Sequence, residues 1–205
     1  MSGPIDAVVF DLGAVLIDWD PRHLYRRLFD GDDAAMERFL AEVCSPEWNR
    51  RQDAGRAWAE AIDSLVAEHP DQADLIRAYR SRWLEMLGGS IDGTVAIVDE
   101  LRGRGLPLFG LSNWSIETWP MAVERFAFLG DFTDILISGE AGVAKPDPRI
   151  YRMLIERDRL DPTRTVFIDD APANVDGARA AGFVGIVFTD PASLRRSLVD
   201  LGLLD

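Results

Sequence analysis

The feature that most constrains this fold is a series of short apolar runs, each of strand length, that alternate with helical patterns. The runs occupy residues 7–10, 106–111, 135–137, 166–168 and 184–188, and each lies close to Gly, Pro, Asp or Ser. Amphipathic helical patterns separate the later runs, over residues 93–104, 148–157 and 175–181. Strands that alternate with helices form parallel sheets with right-handed crossovers. The sequence therefore predicts an α/β fold with a Rossmann-like parallel sheet.

One long segment breaks this alternation after the first strand. About ninety residues separate the first two predicted strands, far more than a simple crossover needs, and they show no convincing strand pattern. Residues 21–87 carry several amphipathic helical patterns instead, and Gly88 and Gly89 end the region as a candidate hinge. We therefore predict a helical subdomain over 18–88, inserted into a sheet domain formed by 1–17 and 89–205.

The charge balance excludes several classes of partner. Acidic residues outnumber basic ones 35 to 22, which gives a net charge of −13. Such a polyanion is a poor partner for nucleic acid or for an anionic membrane surface, because both attract clustered Lys and Arg. No apolar run approaches the length of a membrane helix, and the N-terminal apolar stretch contains Asp6 and Asp11 rather than a basic region. We expect a soluble, cytoplasmic protein without a secretory signal.

The counts of cysteine and histidine narrow the chemistry further. Cys44 is the only cysteine, which excludes an internal disulfide and any multi-cysteine metal centre and fits a reducing compartment. His23 and His69 are the only histidines, so a multi-histidine metal site is also excluded. Carboxylates therefore become the leading candidates for catalysis.

Polar residues follow four of the predicted strands, at the edge where ligands bind in parallel α/β sheets. They are Asp11, Ser112, Asn113, Lys145, Asp169 and Asp170. Three carboxylates that converge in one pocket repel one another and need a counter-charge. Lys145, the only lysine in the chain, supplies one positive charge. A divalent cation such as Mg²⁺, which prefers carboxylate, carbonyl and water oxygens, would supply the rest.

Four short motifs resemble those of the haloacid dehalogenase-like (HAD) hydrolase superfamily. They are Asp11-x-Gly13-x-Val15-Leu16, Ser112-Asn113, Lys145-Pro146 and Asp169-Asp170. They occur in the superfamily's order, each after a strand, and the insert stands where the superfamily places its C1 cap. The resemblance spans residues 5 to about 190 and implies a HAD-like core over 1–17 and 89–205 with an inserted α-helical C1 cap over 18–88. It also implies a phosphatase of the group with Gly in motif one, some of which act on sugar phosphates.

The resemblance implies a catalytic role for several motif residues. Asp11 would be the nucleophile that forms an aspartyl-phosphate from a small phosphorylated substrate. Ser112 and the backbone of Asn113 would hydrogen-bond the phosphoryl oxygens. Lys145 would balance the charges of Asp11 and the phosphoryl group.

The same resemblance implies a Mg²⁺ site. Asp170 would ligate the ion together with Asp11 and the backbone carbonyl of Gly13, and Asp169 would support them from beside the ligands. Asn174 lies where the family often has an acid, and it would orient water on the metal.

One position departs from the pattern of most phosphatases in this superfamily. They have a second Asp where this chain has Gly13, and that Asp protonates the leaving group and then activates water. Loss of a general acid/base lowers the rate roughly 10²–10⁴-fold unless another group replaces it. Candidate replacements are Asp18, His23 and a residue of the cap. The position of Asp18 is equally typical of a residue whose side chain caps the N-terminus of the first inserted helix. The position of His23 is typical of a residue on the surface of a helix.

The tryptophans fall into two groups. Trp48, Trp58 and Trp83 lie within helical patterns and are predicted to form the core of the cap. Trp19 and Trp114 adjoin motifs one and two, where an indole either lines the substrate pocket or packs in the core.

Two other functions compete with a Mg²⁺-dependent phosphatase. A 2-haloacid dehalogenase would use the same Asp11 nucleophile without a metal. However, such enzymes typically lack the Asp-Asp pair of motif four and favour an aromatic residue where this chain has Leu12. A non-catalytic HAD-fold binding protein would have lost turnover together with the second Asp, but retention of Asp11, Lys145 and Asp170 argues against it.

Overall fold

The computed structural model describes residues 4–205 and contains seven strands and eleven α-helices within them. The strands are β1 (Ala7–Phe10), β2 (Ile17–Trp19), β3 (Leu87–Ser90), β4 (Leu108–Ser112), β5 (Asp134–Ile137), β6 (Thr165–Asp169) and β7 (Val184–Val187). The helices are α1 (Arg22–Leu28), α2 (Asp33–Glu42), α3 (Pro46–Asp53), α4 (Trp58–Glu68), α5 (Ala73–Ser81), α6 (Asp92–Gly103), α7 (Trp119–Arg125), α8 (Ser138–Ala141), α9 (Pro148–Asp158), α10 (Pro172–Ala180) and α11 (Pro191–Asp200). Short 3₁₀ turns cover Pro70–Gln72, Trp83–Met86, Ala127–Asp131 and Pro162–Arg164. Between residues 4 and 205, no helix has both the length and the apolar character needed to cross a bilayer.

Five strands form the parallel sheet that the sequence predicts, in the order β5–β4–β1–β6–β7. The central strand β1 pairs with β4 and β6, and all four of its residues are buried. A strand covered on both faces needs apolar side chains on both faces, which explains why β1 reads as a continuous apolar run. The α/β class and the Rossmann-like sheet are therefore confirmed.

The long insert contains two short strands that the sequence pattern does not predict. Its helices α1–α5 are present, but β2 and β3 frame them as an antiparallel pair in which Ile17 faces Ser90 and Asp18 faces Gly89. Because β2 has only three residues and Gly88 and Gly89 lie within β3, neither strand shows a hydrophobic pattern in the sequence. The division into 18–88 and the two flanking core segments remains a prediction.

The helices of the insert enclose an aromatic core. The rings of Trp48 and Tyr79 are 5.2 Å apart, and Trp58 stacks on Tyr79 at 5.7 Å. Tyr25 packs on Phe39 at 5.1 Å, and its hydroxyl donates a hydrogen bond to a backbone carbonyl of α5. Large rings bury much apolar area per residue. These rings continue into the apolar residues on one face of the sheet as a single buried cluster.

Hydrogen bonds fasten the insert to loops that follow the parallel strands. The indole Nε1 of Trp58 donates to Ser115 Oγ at 2.9 Å, and the backbone N–H of Trp58 donates to Glu117 Oε1 at 2.9 Å. Ser138 Oγ, at the start of α8, donates to the backbone carbonyl of Asp53 at 2.5 Å. The C-terminal end of α3 and the start of α4 are therefore held against the carboxyl edge of the sheet.

We predict that Gly139→Ala destabilises the protein. A Cβ at Gly139 would lie 2.5 Å from Ile116 N and 2.8 Å from Trp114 O, and both are backbone atoms. Forcing these segments apart lowers the free energy of unfolding by about 1–3 kcal/mol, measured by urea denaturation. Gly103→Ala is the control, because a Cβ there meets no atom within 4 Å. We expect the control to be neutral or slightly stabilising, and equal losses in both variants would contradict the prediction.

Candidate active site

The ends of three neighbouring parallel strands bring the motif residues together. Asp11 directly follows β1, and its N–H continues the sheet ladder by donating to Ile168 O at 2.8 Å. Ser112 is the last residue of β4, and Asp169 is the last residue of β6. Because β1 lies between these two strands, the three side chains meet at one edge, as the strand-end argument predicts.

One oxygen of Asp11 receives three donors. The N–H of Leu12 donates to Oδ1 at 2.7 Å, Ser112 Oγ donates to it at 2.8 Å, and Lys145 Nζ lies 3.0 Å away. Within residues 4–205, none of the hydrogen bonds and ion pairs ends on Oδ2 of Asp11. The contacts at Oδ1 therefore fix the orientation of the Asp11 carboxyl, and the lone pairs of Oδ2 are left without a partner among these residues.

Lys145 links two carboxylates from the interior of the protein. It is only 1% exposed, and its Nζ donates to Leu111 O at 2.6 Å and to Asp169 Oδ2 at 2.6 Å, in addition to its contact with Asp11. An ammonium has three N–H donors, and these three oxygens match them. Burial by itself lowers the pKa of Lys145, but the charges of Asp11 and Asp169 raise it above its ordinary value. The side chain is therefore a fixed positive charge.

Two asparagines hold this arrangement in place. The side chain of Asn113 donates to Lys145 O at 3.0 Å and accepts from Lys145 N at 2.8 Å, which clamps the loop after α8 to the end of β4. Asn174 Nδ2 donates to both oxygens of Asp169, at 3.0 and 3.2 Å. The sequence motif predicts a role only for the backbone of Asn113; the clamp made by its side chain depends on the fold of a distant loop and has no local sequence signal.

The three carboxylates form a cluster in which Lys145 supplies one positive charge. Asp11, Asp169 and Asp170 each offer an oxygen within 4.8 Å of the others. Burial raises the pKa of Asp11 to about 7; Lys145 opposes this shift and the charge of Asp169 adds to it. Partial desolvation and the charge of Asp169 also raise the pKa of Asp170. A cation bound by Asp11 and Asp170 would relieve this repulsion, and the oxygen-only donor set suits Mg²⁺.

Motif one turns sharply and faces a cavity. The N–H groups of Leu16 and Ile17 both donate to Leu12 O at 2.8 Å, and Ala14 has a positive φ of 58°. Gly13 sits in this turn, and a Cβ placed on it would meet no atom within 4 Å. The position of the absent second carboxylate is therefore open space.

A small cavity of about 60 Å³ lies beside Gly13, between the core and the insert. Its lining residues are Gly13, Trp19, Asn49, Asp53, Trp83, Asn113, Trp114 and Thr118. It shares four of these with a wider chamber of about 950 Å³ that is walled mainly by α1–α3. Trp19 and Trp114 line this cavity. Their positions agree with the first of the two alternatives, in which the indoles line the substrate pocket. Trp83 also lines it, and its side chain is 4% exposed and packs in the buried apolar cluster, as the sequence pattern predicts.

The candidate replacements for the missing acid are placed differently from one another. Asp18 and His23 contact each other at 3.0 Å; Asp18 lines the outer chamber, and neither residue lines the small cavity. Asp20, not Asp18, accepts from the first N–H of α1, so the capping alternative for Asp18 is wrong. Asp53 is a site residue that the sequence analysis did not single out by number, because no local pattern marks the end of α3 as part of the cavity.

Curated relatives of this chain include phosphatases. The chain is 37% identical over 86 residues to phosphatase MT3486 of Mycobacterium tuberculosis, an alignment that covers 42% of this chain and 40% of that protein. It is 28% identical over 193 residues to sesquiterpene phosphatase astK of Aspergillus oryzae, covering 93% of both chains. The mycobacterial alignment thus spans less than half of either protein, whereas the fungal one is nearly end to end.

The fold is shared with a solved HAD family enzyme. The chain superposes on bt-2542 of Bacteroides thetaiotaomicron in its complex with magnesium and inorganic phosphate, with a TM-score of 0.67 and 24% identity over 91% of this chain and 95% of that one. A family model described as a haloacid dehalogenase-like hydrolase matches residues 5–182, which include all four motifs. This chain therefore belongs to the haloacid dehalogenase-like hydrolase family.

Proposed function

We propose that the protein is a Mg²⁺-dependent phosphatase that hydrolyses a small phosphomonoester through an aspartyl-phosphate on Asp11. The observation that carries the proposal is the state of the Asp11 carboxyl, with Oδ1 bound by three donors and Oδ2 free to attack phosphorus. Firm orientation of a nucleophile is a large part of catalysis in phosphoryl transfer. The phosphatases among the relatives agree with this reaction class.

The residues around Asp11 divide the work of phosphoryl transfer. Oδ2 of Asp11 attacks phosphorus, and the bond to the leaving-group oxygen breaks. The backbone N–H of Asn113 donates to a phosphoryl oxygen, and Ser112 would turn its single O–H from Asp11 Oδ1 to another phosphoryl oxygen when substrate binds. Lys145 compensates the negative charge of these oxygens. Water then attacks phosphorus, which releases inorganic phosphate and regenerates the Asp11 carboxylate.

Asp11, Asp170 and the carbonyl of Gly13 are the groups that would hold Mg²⁺, because Asp169 already binds Lys145 and Asn174. Such an ion supplies positive charge to the phosphoryl oxygens and to the carboxylates around them. The magnesium and phosphate bound by bt-2542 support this assignment. Asn174 fixes Asp169 in this scheme and acts on the metal only indirectly.

The wide chamber suggests two classes of substrate. Trp19, which lines both the small cavity and the chamber, offers an indole face on which a sugar phosphate would stack. The wall formed by Leu40, Ala41 and Cys44 instead favours an apolar alcohol phosphate, and the near-complete alignment with a sesquiterpene phosphatase supports this second candidate. In both classes the substrate is a small molecule, and a cytoplasmic location remains a prediction.

Asp11→Asn should abolish phosphatase activity. We expect the wild type to hydrolyse p-nitrophenyl phosphate only with Mg²⁺, and the variant to be slower by more than about 10⁴-fold, the scale seen when other covalent hydrolases lose their nucleophile. Release of p-nitrophenol is the measurement. Asp176→Asn, on the exposed face of α10, is the matched control and should retain wild-type activity. Equal rates in wild type and Asp11→Asn would contradict the phosphatase, and halide release from 2-chloropropionate in EDTA would favour a dehalogenase.

Mg²⁺ should stabilise the folded protein through Asp170. A cation present at about 100 times its Kd adds about 2.7 kcal/mol to the free energy of unfolding. For a chain of this size each kcal/mol raises Tm by about 2–4 °C. We expect the shift, measured by thermal unfolding without substrate, to be lost in Asp170→Asn and kept in Asp176→Asn. A shift of equal size in both variants would place the cation elsewhere.

Ala41→Glu should separate the two substrate classes. Ala41 is exposed on α2 and lines the chamber, so a carboxylate there disfavours an apolar chain more than a sugar. If an apolar alcohol phosphate is the substrate, kcat/KM for farnesyl phosphate falls about tenfold relative to that for glucose 6-phosphate. Ala34→Glu, exposed on the same helix but outside the chamber lining, is the control. An unchanged ratio would leave the sugar phosphate as the favoured class.

A further inference from the structure

A phosphatase with Gly13 in motif one needs a proton donor from another part of the chain. The small cavity beside Gly13 is where such a donor would meet the leaving group, because Gly13 and Asn113 both border it. Among the lining residues within the described range, 4–205, Asp53 is the only one with a carboxyl group. Asp53 also lines the wide chamber, so it borders both spaces.

The position of Asp53 is fixed by contacts that reach into the core. Ser138 Oγ donates to the backbone carbonyl of Asp53 at 2.5 Å and accepts from Trp114 N at 2.9 Å. The loops after β4 and β5 therefore hold the last residue of α3. A general acid has to be placed within hydrogen-bond reach of the leaving oxygen. The bond from Ser138 fixes the backbone of Asp53 beside the cavity in which we expect that oxygen to lie.

The surroundings of the Asp53 carboxyl favour its protonated form. Burial raises the pKa of Asp53 to about 8; a hydrogen bond from the backbone of Ser115 opposes the shift, and the charge of Asp11 adds to it. Asn49 Nδ2 donates to Oδ2 of Asp53 at 2.9 Å, and Tyr79 on α5 is the other titratable group whose charge interacts with it. A carboxyl that keeps its proton at neutral pH is able to donate it.

The other two candidates are less well placed. Asp18 on β2 and His23 on α1 pair with each other at 3.0 Å, and their side chains are 49% and 35% exposed. Asp18 borders only the wide chamber. Both groups therefore stand nearer to solvent than the Gly13 cavity.

We propose that Asp53, supplied by the cap, is the general acid and base that replaces the missing carboxylate of motif one. The inference rests on the proposed phosphatase function. As Asp11 attacks phosphorus, the leaving-group oxygen takes the proton of Asp53 and departs as an alcohol. In the second step a water molecule attacks phosphorus and gives its proton to Asp53, while the bond between phosphorus and Asp11 breaks. Asp53 is then protonated again and the cycle closes.

The test compares leaving groups. Phenyl phosphate has a poor leaving group that needs protonation, whereas p-nitrophenyl phosphate has a good one that needs little. In Asp53→Asn we expect kcat/KM to fall by about 10²-fold or more for phenyl phosphate and by less than about tenfold for p-nitrophenyl phosphate. The quantity kcat/KM reports the step in which the leaving group departs and excludes hydrolysis of the aspartyl-phosphate. Equal losses for both substrates would show a structural role and overturn the inference.

Two further variants separate proton donation from local structure. Asp53→Glu keeps a carboxylic acid and should retain the wild-type ratio between the two substrates; a ratio like that of Asp53→Asn would overturn the inference. Gly13→Asp in the Asp53→Asn background returns a carboxyl to the cavity, where its Cβ meets no atom within 4 Å, and should restore phenyl phosphate hydrolysis at least about tenfold.

Controls distinguish failure of the inference from failure of the proposed function. Asp18→Asn should keep the wild-type substrate ratio, and a selective loss on phenyl phosphate there would move the acid to Asp18. Asp53→Asn should retain the Mg²⁺-induced shift in Tm, which shows an intact site at Asp11 and Asp170. A wild type that hydrolyses neither aryl phosphate with Mg²⁺ would overturn the phosphatase itself, whereas an active wild type with an unselective Asp53→Asn variant overturns the general acid alone.

Discussion

The contact of Lys145 with two carboxylates is the interaction on which the rest of the site depends. Its ammonium lies 3.0 Å from Asp11 and 2.6 Å from Asp169, and it is almost fully buried. Without it, two negative charges would face each other at the end of neighbouring strands, and a buried charge without a partner destabilises a fold by several kcal/mol. Every other Lys or Arg position of the chain is arginine. The planar guanidinium group of arginine does not match three oxygens that surround one nitrogen. The single lysine of the chain is thus explained by geometry.

The parallel sheet explains why this part of the site is predictable from the sequence. Strand ends in a parallel sheet share one edge, so Asp11, Ser112 and Asp169 are brought together by topology alone, whatever the intervening segments do. Lys145 follows from the same reasoning together with charge balance. These inferences need only strand positions and the kinds of residue that follow them, and both can be read from hydrophobic runs.

The features that the sequence did not predict all depend on contacts between distant segments. The pair β2 and β3 is too short and too rich in glycine to show a strand period. The clamp between Asn113 and the backbone of Lys145 joins residues 32 positions apart. Asp53 lies at the end of α3, where the sequence pattern predicts a helix and nothing about a cavity. Its backbone is held beside the cavity by a hydrogen bond from Ser138, 85 residues away. No local signal encodes such contacts.

The placement of Asp53 changes what the cap contributes to the reaction. A cap that only encloses the substrate does not take part in the chemical step. A cap that carries the proton donor has to contact the core in each turnover. The bond from Trp58 to Ser115 reaches the loop after β4, the neighbour of β1, and the bond between Ser138 and Asp53 reaches the start of α8, after the edge strand β5. Under the role proposed for Asp53, contact between the cap and the core is a condition for protonation of the leaving group, because Ser138 of the core holds the backbone of Asp53. The open space at Gly13 agrees with this proposal, because a Cβ placed there would meet no atom within 4 Å and the core supplies no second carboxylate at this position.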